Sequence, residues 1–111
     1  METSSTLENG ITMVTVSGNV DIAGSEILEA ALNQHLNDGV SKLVLDLSDV
    51  GFVSSSGLRV LLKTAQSLQR SEGRIRLCEA NETVREIFGI SGFDKILEIA
   101  GSREEALTGM D

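Results

Sequence analysis

Proline, tryptophan and tyrosine are absent from this 111-residue chain, and phenylalanine occurs three times. With no proline to mark turns or helix starts, boundaries must be read from glycine, asparagine and capping side chains. Aromatics make up 3%, so the core has to be built from Val, Ile and Leu. That scarcity also excludes nucleic-acid readers that stack bases on exposed rings. The single Cys78 cannot form an internal disulfide, and with the single His35 it cannot assemble a zinc site.

Positive charge is scarce as well. Nine Lys and Arg stand against seventeen Asp and Glu, for a net charge of −8. The densest basic group, Arg70, Arg74 and Arg76, has Glu72 in its midst. Such a chain repels phosphate backbones and anionic lipid headgroups, so neither a nucleic-acid partner nor membrane insertion is expected. No apolar run approaches the roughly 18 residues of a membrane span. The opening METSSTLENG lacks a basic region followed by an apolar stretch, so no signal peptide is expected and the location should be cytoplasmic.

What remains is ordinary for a globular protein: 41% hydrophobic and 23% charged residues, enough for one core and too few for two. Residues 1–111 are read as one domain. Asn9-Gly10, between Thr6-Leu7-Glu8 and Ile11 to Val16, predicts a hairpin, because both residues tolerate the positive φ of a tight turn. Gly18 to Gly24 reads as a loop and Ser25 as an N-cap. Ile27, Leu28, Ala31, Leu32 and Leu36 then fall at helical spacing, predicting a helix over Ser25 to Asn37. Asp38-Gly39 ends it, and Lys42 to Leu47 reads as a short buried strand.

Leu58, Leu61, Leu62, Ala65 and Leu68 form the apolar face of a second helix beginning just after the serines. Gly73 stops it. Arg74 to Cys78 alternates as a strand, with Ile75 and Leu77 on one face and Arg74 and Arg76 on the other. Asn81 should cap a third helix whose Val84, Ile87 and Phe88 point inward, closed by a left-handed Gly89. Ile96 to Ile99 reads as a last short strand, and Ser102-Arg103-Glu104-Glu105 as a capping box for a final helix. The expected fold is α/β, a mixed, mostly parallel sheet of four to five strands with about four helices and an N-terminal hairpin. Asp21, Asp46 to Gly57, and Glu79 to Asn81 should gather at the carboxyl edge of the strands, where such folds place their sites. His35 falls toward the opposite edge.

Ser54-Ser55-Ser56-Gly57 sits where a strand passes into a helix, and one serine would suffice as the cap. The extra hydroxyls and the glycine lower helix propensity without improving the cap. Two readings stay open on this pattern: a serine-rich capped loop, or a site where something approaches closely. A helix N-terminus favours an anion, so a phosphate on one of these hydroxyls would be tolerated there. Hydrolysis by a Ser-His-Asp set is excluded by the placement of His35. No G-x-x-x-x-G-K phosphate loop occurs, so the chain is not expected to hydrolyse nucleotides, and no enzyme activity is expected. Asp21, Asp46 and Asp49 offer hard oxygen ligands for Mg²⁺, but loop caps and interface charges are the simpler reading. No metal or cofactor is expected, and Cys78 is read as core.

The run Asp46-Leu47-Ser48-x-Val50-x-Phe52-Val53-x-Ser55-Ser56-Gly57-Leu58 resembles the signature of STAS domains, in particular the single-domain anti-sigma factor antagonists of bacteria. Gly18-Asn19-Val20-Asp21 is similar to the family's Gly-x-hydrophobic-Asp segment. Val84 to Ile96 is similar to its hydrophobic-Phe-x-x-Ser-Gly-hydrophobic segment. The resemblance implies partner switching. The unphosphorylated antagonist binds an anti-sigma factor that is also a serine kinase of the GHKL type. Phosphorylation ends that binding, and a PP2C-type phosphatase restores it. On this chain the resemblance implies Ser55 as phosphoacceptor, with Asp21 and Asp46 at the family's acidic positions. The partner-binding surface would comprise Asp21, Asp46, Ser54, Ser55, Ser56, Gly57 and Leu58. Many members carry Asp where this chain has Ser54, which makes Ser54 and Ser56 the alternative acceptors. Other roles for the same domain are a STAS subunit of a secretion or motility regulator or of a lipid-transport ABC system. A small-ligand or nucleotide sensor is a further alternative.

Overall fold

A computed structural model describes residues 1–110. The chain runs β1 (Glu2–Glu8), β2 (Ile11–Ser17), α1 (Ile22–Asn37), β3 (Lys42–Asp49), α2 (Ser55–Arg70), β4 (Arg74–Cys78), α3 (Glu82–Ser91), β5 (Glu98–Ile99) and α4 (Arg103–Leu107), with a 3-10 turn at Phe93–Lys95 before β5. The sheet order is β1-β2-β3-β4-β5. β1 and β2 are antiparallel, joined by a turn in which Asn9 and Gly10 both have positive φ, 53° and 80°. The other pairs are parallel. The mixed sheet, the hairpin and the four helices are as the sequence implies.

Each crossover steps one strand in the same direction, and with right-handed connections this stacks α1, α2 and α3 on one face. The main core accordingly joins Val14 and Val16 of β2, Leu43, Leu45 and Leu47 of β3, and Ile75 and Leu77 of β4. It packs them against Leu28, Leu32, Leu61, Leu68 and Phe88 of the helices. The other face holds a smaller cluster, Ile11, Met13, Val44 and Cys78, covered by Ala106 and Met110. β3 is thus buried on both sides, which explains its nearly unbroken apolar run.

Several boundaries depart from expectation: α2 begins at Ser55, within the serines rather than after them, because Ser54 is its cap, and β3 runs on from Leu47 to Asp49. β1 begins at Glu2 because the polar stretch before Thr6 pairs with β2, Glu2 facing Ser17, although it has no apolar alternation of its own. α1 starts at Ile22: Asp21, not Ser25, is the cap, its Oδ1 accepting the Gly24 N–H at 2.7 Å. Ser25 is buried, and its hydroxyl donates to the Ile22 carbonyl. α3 runs past Gly89 to Ser91, and the left-handed residue is Gly92, φ 78°. The last strand is reduced to Glu98–Ile99, because the Ile96 and Leu97 N–H groups donate back to the Phe93 carbonyl at the end of the 3-10 turn.

α4 is fastened by the outward-facing residues of β4. Arg76 Nη1 donates to the carbonyls of Glu105, Ala106 and Thr108, neutralising the negative end of that helix. Arg74 Nη1 donates to the Gly109 carbonyl at 3.0 Å. Both guanidinium groups also bind Glu98, at 2.7 and 2.8 Å. At the start of α4, Ser102 Oγ accepts the Glu105 N–H, while the Glu105 carboxylate reaches back to the Gly101 N–H.

Candidate functional site

The serines sit at the carboxyl edge of the parallel strands, on the segment from β3 to α2. This segment is tied to the β2–α1 loop by main-chain bonds. The Gly18 N–H donates to Asp49 O at 3.0 Å, the Val20 N–H to Phe52 O at 2.8 Å, and the Ser54 N–H to Val20 O at 2.8 Å. Val20 and Val53 form an isolated parallel bridge and are both buried. The caps of α1 and α2, Asp21 and Ser54, are therefore held on adjacent strips of chain.

The three serines have different environments. Ser54 is extended (φ −79°, ψ 170°) and is the N-cap of α2, its Oγ accepting the Gly57 N–H at 3.2 Å. Ser55 is the first helical residue and is exposed. Ser56 is half-buried and turns into a shallow groove between α1 and α2, shared with Ile22, Glu26, Glu29, Arg59 and Lys63. Lys63 and Glu29 pair across that groove at 2.9 Å. The first turn of α2 contains no acidic residue, so nothing in it opposes an incoming anion. Two large apolar side chains flank the serines in solvent, Ile22 at 70% and Phe52 at 45% exposure.

Gly57 does make room for something close, and that something is the chain itself. A methyl group there would stand 2.6 Å from Val20 Cγ1 and 2.9 Å from Val53 Cγ1. Leu58 is buried in the main core.

Asp46 is placed differently from Asp21. It is 5% exposed and lies on the α4 face of the sheet, sharing its side of β3 with Val44. Its Oδ1 accepts the Ser48 N–H at 2.9 Å, and its Oδ2 is 3.4 Å from Arg103 Nη1. Arg103 also pairs with Glu8 at 3.4 Å, and its main-chain N–H donates to Glu79 at 2.7 Å. The structure therefore brings Asp21 and Ser54 to Ser56 onto adjacent strips of the carboxyl edge, buries the expected contact residues Gly57 and Leu58, and holds Asp46, also buried, on the α4 face of the sheet. Arg103 escaped the sequence reading, because 57 residues separate it from Asp46. Nearby Cys78 is fully buried, and burial, reinforced by the Asp46 and Glu79 charges, pushes its thiol up to about 12. Among the described residues no three His, Cys, Asp or Glu side chains are grouped to hold a metal. Among them, too, no helix is long and apolar enough to cross a membrane.

The sequence profile of the STAS domain matches residues 4–106, and the chain belongs to that family. It is 42% identical over 98 residues, 88% of its length and 84% of the relative's, to BtrV of Bordetella bronchiseptica, named as a candidate anti-sigma factor antagonist. An anti-sigma factor antagonist from Mycobacterium paratuberculosis superimposes with a TM-score of 0.90 at 29% identity, covering 98% of this chain and 92% of that one. SpoIIAA, a Bacillus cell-fate determinant solved in its phosphorylated form, shares the fold at a TM-score of 0.71 and 21% identity, with 96% of each chain covered.

Proposed function

We propose that this chain is a bacterial, cytoplasmic anti-sigma factor antagonist that acts by binding rather than catalysis. Its partner is an anti-sigma factor that is also a GHKL-type serine kinase. Phosphorylation of Ser55 releases that partner, and a PP2C-type phosphatase resets the switch. The observation that carries the reading is the division of labour among the serines. Ser54 spends its oxygen on the cap and Ser56 leans into the groove, while Ser55 stands exposed at the first position of α2. The contact surface is formed by Asp21 and Ser54 to Ser56, with buried Gly57 and Leu58 seating it and Asp46 fixing the end of β3 through the Ser48 N–H. Exposed Ile22 and Phe52 supply apolar area beside it.

The magnitudes suit a switch. A phosphate about 4 Å from a partner carboxylate, at an effective dielectric near 20, meets roughly 4 kcal/mol of repulsion per charge pair. Half of that weakens binding more than tenfold. The free N–H groups at the start of α2 accommodate the same phosphate, so binding is lost while the fold survives.

The test is to purify the chain from its native cell with whatever it binds, then map phosphosites by mass spectrometry. A co-purifying kinase, modification at Ser55 and loss of the complex in Ser55→Asp, with unchanged thermal unfolding, are expected. Modification confined to Ser54 or Ser56 overturns the acceptor assignment. An ABC-transporter ATPase in place of a kinase overturns the pathway.

A further inference from the structure

The segment carrying the serines is gripped from two sides. The β2–α1 loop holds it through the three main-chain bonds at Gly18 and Val20. From the β4–α3 side, the Asn81 side chain reaches it: Nδ2 donates to the Val50 carbonyl at 3.1 Å. The same amide caps α3, its Oδ1 accepting the Val84 N–H at 2.8 Å. Capping alone needs an acceptor, and Ser or Asp serves as well as Asn. An amide differs in carrying an acceptor and a separate N–H donor on two arms of one rigid planar group. Here both ends are used, one on α3 and one on the serine segment. Val50 is buried in the main core, so without Nδ2 its carbonyl is left at the core edge seeking a donor.

We propose that Asn81 is a positioning residue for the switch, fixing the Val50 carbonyl and thereby the angle at which Ser54 to Ser56 enter α2. This rests on the function proposed above for those serines. The Asn81 side chain bonds to Val50 and Val84 rather than to the serines, so it acts through the Val50 carbonyl.

Three variants of the full chain separate this role from capping. Asn81→Asp keeps a capping oxygen but turns a carboxylate toward the Val50 carbonyl. Asn81→Ser keeps the cap and withdraws the donor. Asn81→Ala removes both. The first readout is amide hydrogen exchange on the isolated chain. In Asn81→Asp and Asn81→Ser, exchange at Val50, Ser54 and Gly57 should quicken by about tenfold, with Val84 unchanged. The second is ATP-dependent phosphorylation by the co-purified kinase, read by intact mass, which should slow by about fivefold or more in both variants, a barrier increase of roughly 1 kcal/mol. Unchanged exchange at the three loop amides overturns the proposal. So does faster exchange at Val84 to the same degree, because the residue would then matter only as a cap. If the wild-type chain is left unmodified by the kinase, the functional reading fails by itself. The exchange result still decides whether Asn81 holds the loop.

Discussion

Gly57 and Val20 are in such close approach that the α carbon of the first is packed directly against a methyl of the second. Any side chain at position 57 would drive α2 away from the β2–α1 loop, because Val20 is β-branched and cannot swing aside. Gly57→Ala sets two effects against each other. Alanine gains about 1 kcal/mol of helix propensity, and overpacking costs typically 1–3 kcal/mol. The steric effect should win, since two valines are struck at once. Urea denaturation should show a net loss of roughly 1–2 kcal/mol, and a variant as stable as the parent would mean that the two loops are not locked together.

Asp46 should behave as a structural residue. Asp46→Ala removes the acceptor of the Ser48 N–H and one of the carboxylates beside Arg103, and stability should fall by about 1–3 kcal/mol. Asp46→Asn retains an oxygen for Ser48 and should lose clearly less. Equal losses in both would transfer the weight to the Arg103 pair, and no loss in either would remove Asp46 from the architecture.

Cys78 makes alkaline pH a probe of the α4 face. Unfolded, its thiol ionises near 8.5; folded, it is pushed up to about 12. Between those values the unfolded chain binds fewer protons than the folded one, so stability declines as pH rises through that window. Cys78→Ala should lack that part of the decline, and the comparison isolates the thiol because the other groups that titrate there, chiefly Lys42, Lys63 and Lys95, are common to both proteins. Denaturation series from pH 8 to 11 provide the measurement, and parallel curves for the two proteins would show the thiol to be more accessible than its burial indicates.

Much of this fold can be read from local signals, and the exceptions have a common cause. Asn9-Gly10, the cap at Asn81 and the Ser102 cap each act within a few residues, and all three lie where the sequence places them. Asp21 and Ser25 are both competent caps, and the choice between them is made by Val20 pairing with Val53, 33 positions away. Gly89 is the expected end of α3, yet the helix continues past it to Ser91 with Ile90 in solvent, and Gly92 takes the left-handed conformation instead. For the site, the edge and the serines were legible. The alternation of β3 already places Asp46 opposite Leu45 and Leu47, but nothing local reveals that Arg103 will cover it. The grip of Asn81 on Val50 is hidden for the same reason.

The fastening of α4 bears on where this domain can be cut. The family match ends at residue 106, yet Met110 is 1% exposed and the carbonyls of Thr108 and Gly109 are bound by the two β4 arginines. Trimming a protein to the family boundary would strip Met110 from the cover over Met13, Val44 and Cys78 and take from the two arginines their carbonyl partners at Thr108 and Gly109. The autonomous folding unit therefore reaches at least four residues past the shared profile, and any fusion partner belongs beyond Met110.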